Sequence, residues 1–156
     1  MEIERKFFLK TLPNLPVTDI YHIEQGYVST DPEVRIRSTS RNSGITHHTL
    51  CIKGDGTLSR EEIETGIGAE QFASLRILCG APLIRKIHIL YKLEEYILEC
   101  SIVDPGEPHS FIYAEIEFSS EEEANAFQRP DFLVDEITND SSLKMKNVWK
   151  RSRAIK

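Results

Sequence analysis

The first charged residues of the chain have a spacing that would bring them to one face of a strand. Glu2, Glu4 and Lys6 lie two residues apart, with Ile3 and Phe7 among the residues at the other positions. Because successive side chains of a strand point to opposite faces, the two carboxylates and the ammonium group would share a face. Carboxylates bind hard divalent cations and an ammonium group binds anions. An edge strand with a solvated polar face is the alternative.

Later segments repeat this alternation, with charges of the same sign two residues apart. The pairs are Glu2 with Glu4, Arg35 with Arg37, Glu62 with Glu64, and Glu115 with Glu117. Two residues of a strand span about 7 Å, a distance over which water screens like charges only partly. A solvated face would tend to mix the two signs. The pattern therefore predicts a ligand that supplies the opposite charges, namely a polyanion together with a divalent metal ion.

Seven segments alternate with the period of a strand, and three have the signals of a helix. The strand segments contain EIERKF, EVRIRS, TLCIKG, SREEIETGI, IRKIHILYK, YILECSIV and FIYAEIEF. The helix segments are GAEQFASLRILCG, SSEEEANAFQ and SSLKMKNVWKR. Gly80 is a stop signal for the first helix, and Ser120 with Glu123 predicts a capping box for the second. The balance of elements indicates an α+β fold on a largely antiparallel sheet. A sheet curled into a barrel, with its charged face inward and its apolar face covered by helices, would let a cation lie between the carboxylates and an anion between the basic residues.

Composition narrows the class of protein further. A chain of 156 residues that is 40% hydrophobic is long enough for one domain, residues 1–156, with a buried core. No apolar run is long enough to cross a bilayer and no secretory signal is recognisable, which predicts a cytoplasmic protein without a membrane partner. The net charge of −6 argues against nucleic acid as a partner. Cys51, Cys79 and Cys100 are predicted to be reduced thiols in the core.

The ordered motifs EIERKF, QGY, VRIR, IKG, LSREEIE, RK and EIEF resemble those of the CYTH superfamily, the triphosphate tunnel metalloenzymes, and in particular its short bacterial members. The resemblance covers essentially the whole chain. It implies a closed eight-stranded antiparallel barrel that forms a tunnel with bound Mg²⁺ or Mn²⁺. Substrates that contain a triphosphate are hydrolysed or cyclised in such a tunnel.

Residue chemistry and the resemblance assign the same roles. Carboxylates suit a divalent metal, and the predicted ligands are Glu2, Glu4, Glu115 and Glu117. Basic side chains suit phosphate, and the predicted contacts are Lys6, Arg35, Arg37, Lys53, Arg60 and Lys86. Glu62 and Glu64 are predicted to orient the attacking water or to tether the basic residues. Tyr27 and Lys86 match a tyrosine and a lysine that the short bacterial members use near the scissile phosphate, and a structural role is the alternative for Tyr27.

The chain departs from the family pattern at positions that bear on activity. They are His88 in place of arginine, Ser101 in place of aspartate, and Ser142, Leu143 and Met145 in place of arginine, tyrosine and asparagine. One basic phosphate contact is thus predicted to be weaker and another to be missing. Asp140 is retained, and Lys144 or Lys146 is a candidate for supplying replacement charge.

Three functions are compatible with these residues. The first is a metal-dependent phosphohydrolase acting on tripolyphosphate, ATP or thiamine triphosphate. The others are an adenylate cyclase of the same tunnel type and a non-catalytic module that binds polyphosphate or a nucleotide. The sequence leaves open a monomer or a homodimer. It also predicts that Glu2, Glu4 and Glu117 crowd together in the metal-free protein without a compensating charge, which would raise at least one of their pKa values.

Overall fold

The computed structural model describes residues 1–41 and 44–155. Its strands are β1 (Glu2–Leu9), β2 (Val17–Thr30), β3 (Glu33–Arg41), β4 (Thr46–Lys53), β5 (Ser59–Arg60), β6 (Glu62–Ile67), β7 (Ile84–Leu93), β8 (Tyr96–Val103), β9 (Phe111–Glu117) and β10 (Asp135–Glu136). Its α-helices are α1 (Ala69–Cys79), α2 (Glu121–Ala126) and α3 (Met145–Ser152), and a short 3₁₀ helix spans Ser141–Leu143. Gly80 ends α1 in the left-handed conformation, as predicted.

The strands form one antiparallel sheet in the order β6-β4-β3-β2-β7-β8-β9-β1, with β10 and β5 also paired to β1. Only Glu61 separates β5 from β6, so the segment that pairs with β4 also reaches β1, where Ser59 lies opposite Ile3. This connection makes the sheet a nearly closed barrel and confirms the α+β class. The predicted eight strands correspond to the eight longer ones, and β5 and β10 add two residues each.

The strand faces that carry the predicted site residues point into the barrel interior, and the opposite face of β1 packs on an apolar cluster. Paired residues of neighbouring strands share a face, and Glu4 lies opposite Glu117 while Lys6 lies opposite Glu115. On the other face of β1, Phe7 is fully buried in a cluster beneath α2. The hydrophobic effect therefore stabilises the barrel from outside and leaves the interior polar.

A second apolar cluster lies under α1 and α3, which pack on β2. Trp149 of α3 is 1% exposed, and its ring lies 5.9 Å from that of Tyr27. Cys51, Cys79 and Cys100 are all buried and free, which confirms the prediction for the thiols. Within the residues that the structure describes, no helix combines the length and the apolar character needed to cross a membrane.

The glycine of the QGY motif fits beneath these two helices because it has no side chain. A Cβ atom on Gly26 would lie 2.5 Å from Cδ2 of Leu83, 3.2 Å from Sγ of Cys79 and 3.4 Å from Trp149. We expect Gly26→Ala to lower the free energy of unfolding by about 1–3 kcal/mol through overpacking. Urea unfolding measures the change, and a variant as stable as the wild type would contradict this close approach.

Candidate active site

A polar cavity of about 190 Å³ occupies the barrel interior. Every residue predicted for the site lines it: Glu2, Glu4, Lys6, Tyr27, Arg35, Arg37, Lys53, Arg60, Glu62, Glu64, Lys86, Glu115 and Glu117. Residues to which the sequence assigned no role also line it, including Glu33, Glu99, Tyr113 and Thr138, and so does Lys144, the candidate for replacement charge. Strand parity thus brings the predicted residues together, while their chemical roles stay predictions.

Three of the predicted metal ligands form a compact group. One carboxylate oxygen from each of Glu2, Glu4 and Glu117 lies within 4.8 Å of the others. Burial and then the neighbouring Glu115 raise the pKa of Glu4 well above its usual value. Partial burial and then Glu99 raise the pKa of Glu117 to about 7. Oxygen donors this close fit a hard divalent cation, which would relieve the repulsion that raises these pKa values.

Glu2 differs from the prediction, because it has compensating charge. Lys53 Nζ lies 3.0 and 3.2 Å from its two carboxylate oxygens, and Arg60 Nε lies 3.4 Å from one of them. Although burial alone would raise the pKa of Glu2, hydrogen bonds with Glu62 and Lys53 lower it. The expectation of an uncompensated carboxylate is therefore wrong for Glu2, while both Glu4 and Glu117 have raised pKa values.

Arg35 and Arg37 lie side by side on the interior face of β3. Arg35 is 6% exposed. Within the described part of the chain, the buried Nε atom of each guanidinium has no hydrogen-bond partner. Arg37 donates from Nη2 to the fully buried Gln25 over 3.0 Å, and burial together with Arg35 lowers the pKa of Arg37. Unsatisfied buried donors of like charge are suited to an anionic ligand.

The other predicted phosphate contacts already have partners. Arg60 also lies 3.5 Å from the buried Glu33, and Lys53 lies 3.9 Å from Glu62. Glu33 shares strand parity with Arg35 and Arg37, so the signal that could have identified it was present in the sequence. The contact between Glu62 and Lys53 fits the predicted tethering role of that carboxylate.

Glu62 and Glu64 also group with a cysteine. Their oxygens and the Cys51 sulfur lie within 4.8 Å of one another. Burial is the main cause that raises the pKa of the Cys51 thiol to about 11. The thiolate that a metal ion requires is therefore disfavoured at neutral pH.

Lys86 lines the tunnel and contacts a tyrosine, Tyr113, for which the sequence predicted no role. Its Nζ donates to the Tyr113 hydroxyl over 2.7 Å. The Tyr27 hydroxyl instead accepts from Nε2 of Gln25 over 3.3 Å. Burial and then Arg37 lower the pKa of Lys86 well below its usual value. Tyr113 has the same strand parity as Glu115 and Glu117, the one signal in the sequence that pointed to it.

The positions that depart from the family pattern form two groups. His88 lines the tunnel, with Nδ1 2.8 Å from the Ser101 hydroxyl and Nε2 3.2 Å from a Glu99 oxygen. Ser142 and Leu143 belong to the 3₁₀ helix, and the Leu143 carbonyl accepts from Lys6 Nζ over 3.1 Å. In the segment that follows, Lys144 lines the tunnel and Lys146 is not among the lining residues.

Among the described residues, the barrel interior brings a group of three carboxylates together with two arginines whose buried Nε atoms lack partners, an arrangement suited to a polyanion and a metal ion. No family model matches the chain. It is 33% identical over 145 residues to an inorganic triphosphatase of Nitrosomonas europaea, covering 93% of this chain and 94% of the relative. It is 31% identical over 143 residues to an inorganic triphosphatase of Acetivibrio thermocellus, covering 89% and 86%. A crystal structure of an inorganic triphosphatase superposes with a TM-score of 0.66 at 28% identity, covering 95% and 93%. The chain belongs to the CYTH superfamily of triphosphate tunnel proteins.

Proposed function

We propose that the protein is a divalent-metal-dependent phosphohydrolase that cleaves inorganic triphosphate. The observation that carries the proposal is the presence, in one tunnel, of a three-carboxylate group and of two arginines whose buried Nε atoms lack partners among the described residues. Relatives named inorganic triphosphatase, aligned over nearly the whole chain, support the same substrate class. ATP and thiamine triphosphate are further candidates because they contain the same phosphate chain. The cytoplasm is the proposed location.

Each group of side chains has a distinct task in this reaction. Arg35, Arg37 and Lys86 bind phosphate oxygens and hold the chain of phosphates along the tunnel. Glu2, Glu4 and Glu117, with Glu115 beside them, would hold Mg²⁺ or Mn²⁺, which supplies charge neutralisation of the phosphate oxygens when bound. Attack of water on the terminal phosphorus breaks its bond to the bridging oxygen, and orthophosphate and diphosphate leave.

Lys53 and Arg60 would change partners when substrate binds. Both cations contact Glu2 in the structure, and a triphosphate would offer them acceptors of higher charge. A metal ion on Glu2 would compensate the carboxylate that they leave. Binding of metal and substrate is therefore expected to be cooperative.

Turnover of tripolyphosphate with Mg²⁺ or Mn²⁺ tests the proposal. We expect release of orthophosphate and diphosphate, and a decrease in kcat of at least about 100-fold in Glu4→Gln, because a catalytic metal supplies several kcal/mol of transition-state stabilisation. Glu24→Gln, an exposed carboxylate on β2, is the matched control. The panel includes ATP and thiamine triphosphate, with product identification.

Other outcomes of this assay would overturn the proposal. Formation of cyclic AMP and diphosphate from ATP would identify a cyclase instead. Binding measured by calorimetry without turnover of any of the three compounds would identify a binding module. A Glu4→Gln variant as active as Glu24→Gln would remove Glu4 from the metal site.

A further inference from the structure

Lys86 and Tyr113 form a buried pair in the middle of the tunnel. Lys86 is 4% exposed and Tyr113 is 1% exposed, and 2.7 Å separates the ammonium nitrogen from the phenol oxygen. The two residues come from β7 and β9, with β8 between them. On β8, Ser101 lies opposite both Tyr113 and His88, so all of these side chains share the interior face.

Most of the charges around Lys86 repel its ammonium group, so the hydrogen bond to Tyr113 matters for where the Lys86 side chain lies. Arg37, Arg35 and Lys6 all act on Lys86 as like charges, and Glu115 is the attractive one. Within the described residues, Lys86 Nζ donates a hydrogen bond to the Tyr113 hydroxyl. A lysine has a flexible side chain of high conformational entropy, so repulsion alone would not fix it in one place. The hydrogen bond to the Tyr113 hydroxyl has a fixed direction and can hold the Lys86 ammonium group in one place.

Tyr27 and Tyr113 have different environments although both line the tunnel. The Tyr27 hydroxyl is bonded to Gln25, whose amide oxygen binds Arg37, and the Tyr27 ring packs on Trp149. The Tyr113 ring lies under the Lys6 ammonium, with Nζ 4.2 Å from its centroid, and its hydroxyl binds Lys86. Tyr27 is thus linked through Gln25 to Arg37, whereas Tyr113 contacts Lys6 and Lys86.

We propose that Tyr113 is a positioning residue for the reaction, holding the Lys86 amine where it contacts the phosphate chain in the transition state. The inference rests on the proposed triphosphate hydrolysis, and it concerns a tyrosine to which the sequence assigned no role. The Tyr113 phenol oxygen accepts the hydrogen bond from Lys86 Nζ over 2.7 Å.

The first test compares kcat and KM for tripolyphosphate in Tyr113→Phe, Tyr27→Phe and Tyr91→Phe. Tyr113→Phe keeps the ring beneath Lys6 and removes only the acceptor, so we expect a fold that melts normally and a decrease in kcat of about 10- to 100-fold, with a much smaller change in KM. Tyr91, a buried tyrosine on the outward face of β7, is the matched control and is expected to leave both constants unchanged.

A double-mutant cycle separates positioning from a general structural effect. If Tyr113 acts through Lys86, then Tyr113→Phe should cause little further loss of kcat in a Lys86→Met background, in which the donor to the phenol oxygen is absent. Equal losses in both backgrounds would overturn the inference, as would an unchanged kcat in Tyr113→Phe or a decrease confined to Tyr27→Phe. A wild-type protein without tripolyphosphatase activity would contradict the proposed function instead, and that result is seen before any variant is measured.

Discussion

Replacing Arg35 by Met is expected to raise the KM for tripolyphosphate by about 10- to 100-fold, because a hydrogen bond to a charged group contributes about 1.5–3 kcal/mol. The same substitution should leave the protein as stable as the wild type or make it more stable. Arg35 is buried beside Arg37, and within the described residues its Nε has no acceptor. Methionine keeps most of the side-chain volume and removes both the charge and the unsatisfied donor.

Arg37→Met should weaken binding to a similar extent but should not increase stability as much. Arg37 binds the amide oxygen of the fully buried Gln25, and that acceptor would lose its partner. The two arginines therefore differ in the hydrogen bond that methionine would remove from the ligand-free protein. A smaller gain in stability for Arg37→Met than for Arg35→Met would support the hydrogen bond between Arg37 and Gln25.

Kinetics and thermal melting of both variants measure these effects. Arg41→Met is the matched control, because Arg41 lies on the same strand, is exposed and pairs with Asp19 outside the set of lining residues. Its KM should equal that of the wild type. An Arg35→Met variant with normal KM and a lower melting temperature would show that the arginine supports the fold and does not bind substrate.

Strand parity explains why the predicted site residues converge. A period of two assigns each charged residue to a face without any knowledge of tertiary structure, and antiparallel pairing then places Glu4 opposite Glu117. The resemblance to the CYTH superfamily supplied the closure of the sheet, which parity does not specify. In the molecule this closure depends on two residues of β5 pairing with β1.

Other features of the site depend on distances between strands that are far apart in sequence. Parity puts both Tyr27 and Tyr113 in the interior, but it does not indicate which hydroxyl reaches Lys86. The ion pairs of Glu2 with Lys53 and Arg60 likewise result from closure of the barrel, which pairs β1 with β5 and brings Glu2 close to Lys53 of β4. Lys144 enters the tunnel from the segment before α3, where no period in the sequence indicates a direction.

The metal-free protein is expected to lose stability as pH rises from about 4.5 to about 7. In this range the folded protein holds protons that the unfolded chain has released, because the pKa of Glu117 is raised from 4.5 to about 7 and that of Glu4 is raised as well. The contribution of a raised carboxyl pKa is present at low pH and is lost as pH passes through the folded value. The lowered pKa of Glu115 acts below pH 4.5 and does not offset this trend.

Replacing Glu4 and Glu117 together by Gln should remove this dependence. Glutamine is neutral and nearly isosteric, so the variant imitates the protonated pair at every pH. At pH 8 the metal-free double variant should be at least as stable as the wild type. Glu2 is excluded from the substitution because Lys53 and Arg60 already compensate its charge, and its loss would leave the buried Lys53 and the half-buried Arg60 with fewer partners.

Magnesium should stabilise the wild type and have little effect on the double variant. A ligand that binds only the folded state stabilises it by about 2.7 kcal/mol at a hundredfold excess over Kd. For a chain of this length that corresponds to a rise in melting temperature of about 5–10 °C. The measurement is a set of melting curves at pH 8 with and without Mg²⁺ for the wild type and for the Glu4→Gln/Glu117→Gln double variant.

A third variant, Glu24→Gln/Glu95→Gln, has the same change of charge at two exposed positions. This control should keep the full shift with Mg²⁺, because its substitutions lie outside the carboxylate group. An equal rise in melting temperature with Mg²⁺ in all three proteins would show that the metal binds elsewhere. The repulsion that raises the pKa values of Glu4 and Glu117 would then have no metal ion to offset it.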